Sequence, residues 1–284
     1  ITGDSVSGKT LLQNVRLTRD PRLYETVIVN GGLPTLDWTT AAMTGTPYET
    51  WVGGSTSGTN SQDEIGTFAT GYRNLKYSFD EYGGHGLQWA TIRLSDVYLM
   101  YAEALIQTNT SGNYQDAIEW IDKVRARVGL KGLVECNPDK DLLHDKDLLM
   151  QELFRERACE LGFENARYMD LVRYKMKSIF EKPLHGMRIY RMVKNPTTGK
   201  FERCNMQWYK AGKGQTFTCS DGTKVKVAYK DGIQQPTVFE YEKFELTKGK
   251  RKWWTQGFDP KWYLTPFKTT EINKGYGLVQ NPGW

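Results

Sequence analysis

Ile92-Arg93-Leu94-Ser95-Asp96-Val97-Tyr98-Leu99-Met100-Tyr101-Ala102-Glu103-Ala104-Leu105 is where the sequence first becomes periodic. Leu94, Val97, Tyr98, Tyr101, Ala102 and Leu105 recur at steps of three and four, a spacing that collects side chains on one stripe of a helix. A second helix follows at once. Asn113 is a good N-cap, Asp116 places its charge against the helix dipole, and Ala117, Ile118, Ile121, Val124 and Val128 form an apolar face that Gly129 ends. The pair predicts an antiparallel helical hairpin. A third helix is expected over 147–161 and a shorter fourth over 165–174, separated by Gly162.

On either side the pattern changes. Residues 1–90 carry turn signals such as Asn30-Gly31-Gly32 and Gly53-Gly54 and read as a loop-rich segment with short strands. Within it Asp20-Pro21-Arg22-Leu23 opens a compact element, and 24–29 reads as a strand with Val27 and Val29 on one face. Residues 186–258 alternate at 188–193, 207–209 and 224–229 between turns at Pro196-Thr197-Thr198-Gly199, Gly212-Lys213-Gly214 and Asp221-Gly222. That predicts a meander of hairpins laid on the helices of 91–185. The tail, 259–284, is apolar and proline-punctuated and is expected to dock rather than fray. Gly112-x-Tyr114-x-x-Ala117, preceded by Ala102, resembles the spacing of a tetratricopeptide repeat, one copy of which cannot bury its own face. The expected class is therefore mainly α: a tetratricopeptide-like alpha-alpha superhelix with loop-rich and β-hairpin excursions, the four segments forming one domain.

A chain of 284 residues and 32.6 kDa is long enough to bury roughly 70–75% of its unfolded surface. With 39% hydrophobic and 25% charged residues, both a disordered chain and a membrane-spanning bundle are excluded. Net charge is +5 from 38 basic and 33 acidic residues, too mild and too interspersed to call for nucleic acid. No run approaches the roughly 18 apolar residues of a membrane helix, since 97–106 is interrupted by Glu103. The chain opens Ile1-Thr2-Gly3-Asp4-Ser5, without initiator Met, signal-like region or lipidation cysteine. It reads as the interior of a longer polypeptide, with any membrane attachment outside it. Four cysteines show no CxxC and no clustering with His85, His144 or His185, so neither zinc nor another cofactor is called for. Cys204 and Cys219 could face each other across a hairpin, whereas Cys159 on the third helix reads as a small buried hydrophobe.

Chemistry concentrates in Glu156-Arg157-Ala158-Cys159-Glu160-Leu161-Gly162-Phe163-Glu164-Asn165-Ala166-Arg167-Tyr168-Met169-Asp170-Leu171-Val172-Arg173. Four acids there are enough for a glycosidase pair. Each, however, has Arg157, Arg167 or Arg173 within a turn or so, and a neighbouring guanidinium depresses a carboxyl pKa where a general acid needs it raised. Glu156, Arg157, Glu160, Glu164, Arg167, Asp170 and Arg173 are therefore read as structural ion pairs, and no residue as catalytic. Gly3-x-x-x-x-Gly8-Lys9-Thr10 matches phosphate-loop spacing, but no strand precedes it and Asp20-Pro21 interrupts any helix after it. Lys248-Gly249-Lys250-Arg251-Lys252-Trp253-Trp254 could hold an anionic polymer or anchor the tail. Aromatic residues make up 13% of the chain, which suits carbohydrate, because the C–H faces of sugars stack on indole and phenol rings. Asp37, Trp38, Tyr48 and Trp51, on a flexible loop, are the favoured ligand contacts, with Tyr82 and Trp89 second choices that weigh towards the core. Replacing Trp38 and Trp51 together should abolish glycan binding and spare stability.

Three segments in order also carry a resemblance. The 92–104 stretch with Val124-Arg125-Ala126-Arg127-Val128-Gly129-Leu130 is the first, and the 156–173 signature is the second. The third is the end, Tyr263-Leu264-Thr265-Pro266 with Glu271-Ile272 and Gln280-Asn281-Pro282-Gly283-Trp284. Together they resemble the SusD/RagB family of outer-membrane nutrient-binding lipoproteins. The resemblance implies the carboxy-terminal portion of a cell-surface lipoprotein that is not an enzyme. Such a protein captures glycans, or in some members peptides, and passes them to a SusC-like TonB-dependent transporter on which it sits as a hinged lid. Residues 186–258 match no motif of that family and read as a substrate-specific elaboration. A helical scaffold that binds a protein partner is the alternative.

Overall fold

The computed structural model describes residues 6–7, 20–30, 50–52, 70–77, 89–204, 215–227, 238–246 and 251–284. Its helices begin with α1 (Arg22–Thr26), α2 (Leu94–Thr108) and α3 (Gln115–Ala126). They continue through α4 (Leu133–Cys136), α5 (Lys146–Glu160), α6 (Ala166–Arg173) and α7 (Lys177–Phe180). The main core lies where α2, α3 and α5 meet, with Leu99, Ala102 and Ile106 against Ala117, Ile118, Ile121 and Val124, and Leu149, Leu153 and Phe154 closing the third side. Fully buried Leu and Ile side chains contribute about 1.5–3 kcal/mol each, so this triangle is the principal stabilising element of the helical region. Side chains meet the first amides of two helices, and Asn113, read as the N-cap of α3, does so from one residue before the cap position, which Tyr114 occupies. Asn113 Oδ1 accepts from the Gln115 amide at 2.9 Å, and Asp145 accepts from the Asp147 and Leu148 amides, opening α5. Gly129, at φ +75°, follows the end of α3 in a conformation that disfavours any side chain.

Two local expectations are corrected. The buried stripe of α2 is Ser95, Leu99, Ala102, Glu103 and Ile106, whereas Leu94, Val97, Met100 and Tyr101 are exposed. Apolar residues surround this helix almost completely, so periodicity finds the helix without fixing which side faces inward. Residues 24–29 are not one strand. They begin inside α1 and leave only β2 (Val27–Ile28), paired with β3 (Arg73–Asn74), because Asp20 and Pro21 accept amides of the first turn.

The β-rich region forms an antiparallel sheet from β1 (Val6–Ser7), β4 (His185–Lys194), β5 (Phe201–Arg203) and β8 (Val238–Glu245), in the order β1-β8-β4-β5. A separate hairpin pairs β6 (Gln215–Thr218) with β7 (Lys224–Val227). The predicted strand over 207–209 lies outside the described residues. β1 falls within the phosphate-loop-like segment and is extended, pairing with Val238 and Phe239, which is not the turn that wraps a phosphate. Nine α-helices among the described residues, with these strands, fit a mainly α class.

The last helices, α8 (Lys252–Gln256), a 3-10 turn (Pro260–Tyr263) and α9 (Thr269–Ile272), lead into the tail. There the Trp284 indole N–H donates to the Lys261 and Leu264 carbonyls, and Gln280 bonds both the amide and the carbonyl of Phe267. The tail is fastened through hydrogen bonds to its own backbone more than through burial, for Tyr276 and Val279 stay largely exposed. Trp253, instead of projecting to solvent, joins the rings of Phe180, Phe258 and Trp262.

Candidate functional site: an ion-locked frame edged by rings

α5 carries Glu152, Glu156, Arg157 and Glu160 into the interior, a costly arrangement unless every charge is met. It is met by partners from well-separated stretches of chain, and Glu164, just beyond α5, shares them. Arg22 Nη1 lies 2.5 Å from Glu156 and 3.1 Å from Glu160, while its other edge grips Asp20 at 2.6 Å. Arg93 bridges Glu160 and Glu164 at 3.0 and 2.8 Å. Arg125 reaches Glu156 at 3.0 Å, Arg127 reaches Glu160 at 2.9 Å, and Lys76 pairs with Glu164. A second knot joins Arg157 to Asp170 and Asp96, and Arg173 to Asp170 and Glu103.

Planar guanidinium groups suit this role because one fork spans two carboxylates. Burial works to raise the Glu160 carboxyl. Hydrogen bonds from Arg22, Ser95 and Arg93, with the field of Arg127, outweigh it and hold the group below the usual carboxylate range. Glu103 behaves alike: burial raises it, and bonds from Arg173 and the Tyr174 hydroxyl bring it down.

Two clefts border this frame. The smaller, about 430 Å³, is walled by Arg22, Lys76, Arg93, Arg127 and Glu160. The larger, about 820 Å³, is walled by Asp20, Arg125, Glu152, Glu156, Cys159 and Phe163, among others. Their principal acids are engaged, Glu160 by three arginines and Glu152 by Lys140 and Arg155.

The pairing expected of Glu156, Arg157, Glu160, Glu164, Asp170 and Arg173 is present, but with distant partners. Arg22, Lys76, Arg93, Arg125 and Arg127 were not singled out, because nothing in a single sequence marks a residue 138 positions from its partner. Arg167 is a correction: its guanidinium donates to the Phe154 carbonyl at 3.4 Å instead of to a carboxylate. Cys159 is a second, lying exposed on the rim of the larger cleft.

Among the proposed ligand contacts, Asp37, Trp38, Tyr48 and Tyr82 lie outside the described residues. Trp51 is corrected. It is fully buried, its ring 5.3 Å from Phe239 and its neighbour Val52 bonded through the amide to Ile189, so it anchors the sheet and offers no face to a sugar. Trp89, weighed towards the core, is 47% exposed and lies against Tyr77, ring centroids 4.5 Å apart and tilted by 33°. Tyr77 sits at φ +57°, an unusual conformation for an aromatic residue. Lys76 ties it to the frame through Glu164 and the Glu160 carbonyl. Lys76 itself lines the smaller cleft.

A mainly α frame whose buried acids are locked by arginines, with a tilted, partly exposed ring pair beside one of its lysines, has the features of a binding protein. The model of the SusD family matches residues 4–284, and the chain belongs to that family of outer-membrane nutrient-binding proteins, whose members bind their ligands rather than transform them. Among curated proteins, none matches the chain.

Proposed function

We propose that this protein captures an oligo- or polysaccharide at the outer cell surface and delivers it to a TonB-dependent transporter without chemical change. The observation that carries the reading is the Tyr77–Trp89 pair, Tyr77 half-buried and Trp89 exposed, next to the ion-paired Lys76, because sugar C–H faces stack on an exposed aromatic ring. Asp37, Trp38, Tyr48 and Tyr82 remain candidate contacts in the same ligand-side segment. The helical frame is tetratricopeptide-like in this reading, and the exposed Leu94, Val97, Met100 and Tyr101 of α2 form the face on which a neighbouring hairpin lies. Attachment to the membrane is through a lipid anchor; no helix among the described residues is long and apolar enough to cross a membrane. Binding of the full chain to a polysaccharide array, with Trp89→Ala beside it, tests the assignment. Glycan retention lost in the variant supports it, whereas an array on which the parent retains nothing points to a peptide or protein ligand. Release of reducing sugar from a bound polymer would mean an enzyme.

A further inference from the structure

The β4–β5 and β6–β7 hairpins press their inner faces together. On the first, Val193 stands opposite Glu202 and the Cys204 amide donates to the Arg191 carbonyl at 2.8 Å, so Val193, Glu202 and Cys204 share one face. On the second, Phe217 stands opposite Val225 and the Cys219 amide donates to the Thr223 carbonyl at 2.8 Å. That arrangement turns Cys219, Phe217 and Val225 the same way. Val193, Cys204, Cys219 and Val225 make one buried cluster, with both cysteines present as thiols at 0% and 4% exposure. The turns are tied as well. The Ser220 amide donates to Glu202 at 2.7 Å, and the Asn195 amide group bridges Glu202 and Asp221 at 3.2 and 2.9 Å.

We propose that Cys204 and Cys219 join in an intrachain disulfide that staples the β6–β7 hairpin onto β4–β5. Two thiols lose their protons, one S–S bond forms, and an external small-molecule disulfide such as oxidised glutathione accepts the two electrons and is cleaved to two thiols. The bond joins two hairpins, not the two arms of one hairpin as the sequence suggests. Glu202, Cys219 and Asp221 also stand close enough to share a metal ion. Their oxygens, however, are taken by the Ser220 and Thr223 amides and by Asn195, which favours sulfur–sulfur bonding over a metal. Burial, with Glu202 and Asp221 beside it, pushes the Cys219 thiol up, so exchange is slow once the hairpins have closed and the bond forms as they fold.

The test refolds the full chain with oxidised glutathione, denatures it without reductant, alkylates it and maps its peptides. The expected result is a Cys204–Cys219 linked pair about 2 Da lighter than the two thiol peptides, with Cys136 and Cys159, both exposed, alkylated. A reductant then lowers Tm by about 5 °C, and it leaves the Tm of Cys204→Ala/Cys219→Ala unchanged. Alkylation at all four positions, a bridge through Cys136 or Cys159, or one zinc per chain lost on Cys219→Ala overturns the proposal. A Cys136→Ser/Cys159→Ser background repeats the map where exposed thiols would scramble the product.

Discussion

Replacing Trp51 separates a core ring from a ligand ring. Its indole is fully buried beside Phe239 and Ile189, with the Arg191 guanidinium 5.9 Å from the ring centre. Truncating such a ring removes its transfer free energy and leaves a cavity, which for Trp→Ala costs about 3–5 kcal/mol. In a chain of this size each kcal/mol moves Tm by roughly 2–4 °C, so Trp51→Ala should melt about 6–20 °C below the parent. Trp89→Ala, at a half-exposed ring, should stay within about 1 kcal/mol of it. Scanning calorimetry gives both values, and glycan retention below the lower Tm gives the second axis. The expected pattern is a destabilised Trp51 variant that still binds and a stable Trp89 variant that does not. A Trp51→Ala protein that keeps the parental Tm yet loses the ligand would refute the placement of that ring and restore the reading from sequence.

Other outcomes follow from the charged frame and its edge. Glu160→Gln leaves Arg22, Arg93 and Arg127 short of a buried partner, and a loss of about 3–5 kcal/mol is expected in denaturant titrations; a change under 1 kcal/mol would show the knot to be solvated. Glu160, Glu103 and Asp20 each have burial raising the carboxyl and bonds to arginine more than cancelling it. Their folded pKa values lie below the unfolded ones, so their stabilisation is complete above about pH 5 and is lost as pH falls through the folded values. Asp122, which burial raises, contributes in the opposite sense. Tm should therefore be level near neutrality and fall steeply below about pH 4, and a Tm that climbs on acidification contradicts the sign. Asn165 opens α6 at φ +62°. Asn165→Ala should cost about 1 kcal/mol and Asn165→Gly almost nothing, and equal losses would mean that side-chain contacts, not backbone conformation, select the residue.

Legibility in the sequence tracked how local each cause was. α3 was readable because its signals, Asn113 ahead of it and a one-sided apolar stripe, lie within a few residues of what they determine, and α5 and α6 because Gly162 divides them. α2 was readable as a helix but not in its orientation, since its apolar residues cover opposite sides. Trp51 looked like a loop ring because Thr50 and Val52 give no hint that Phe239, 188 positions away, closes over it. Asp170 and Arg157 were found in one dense signature, whereas Arg22 and Lys76 sit in unremarkable surroundings and acquire meaning only in three dimensions. Tyr77 left no mark in composition, and its left-handed backbone is visible only once the chain is folded.

The Arg22 knot also bears on the order of assembly. Its guanidinium meets carboxylates 134 and 138 residues further along, so during synthesis it waits until α5 has left the ribosome. Closing so long a loop is slow relative to local pairing, and until then the acids of α5 remain hydrated, which discourages premature collapse around them. An Arg22→Met chain should accordingly fold at nearly the parental rate and unfold faster, which makes this residue a late latch on a structure already nucleated by α2, α3 and α5.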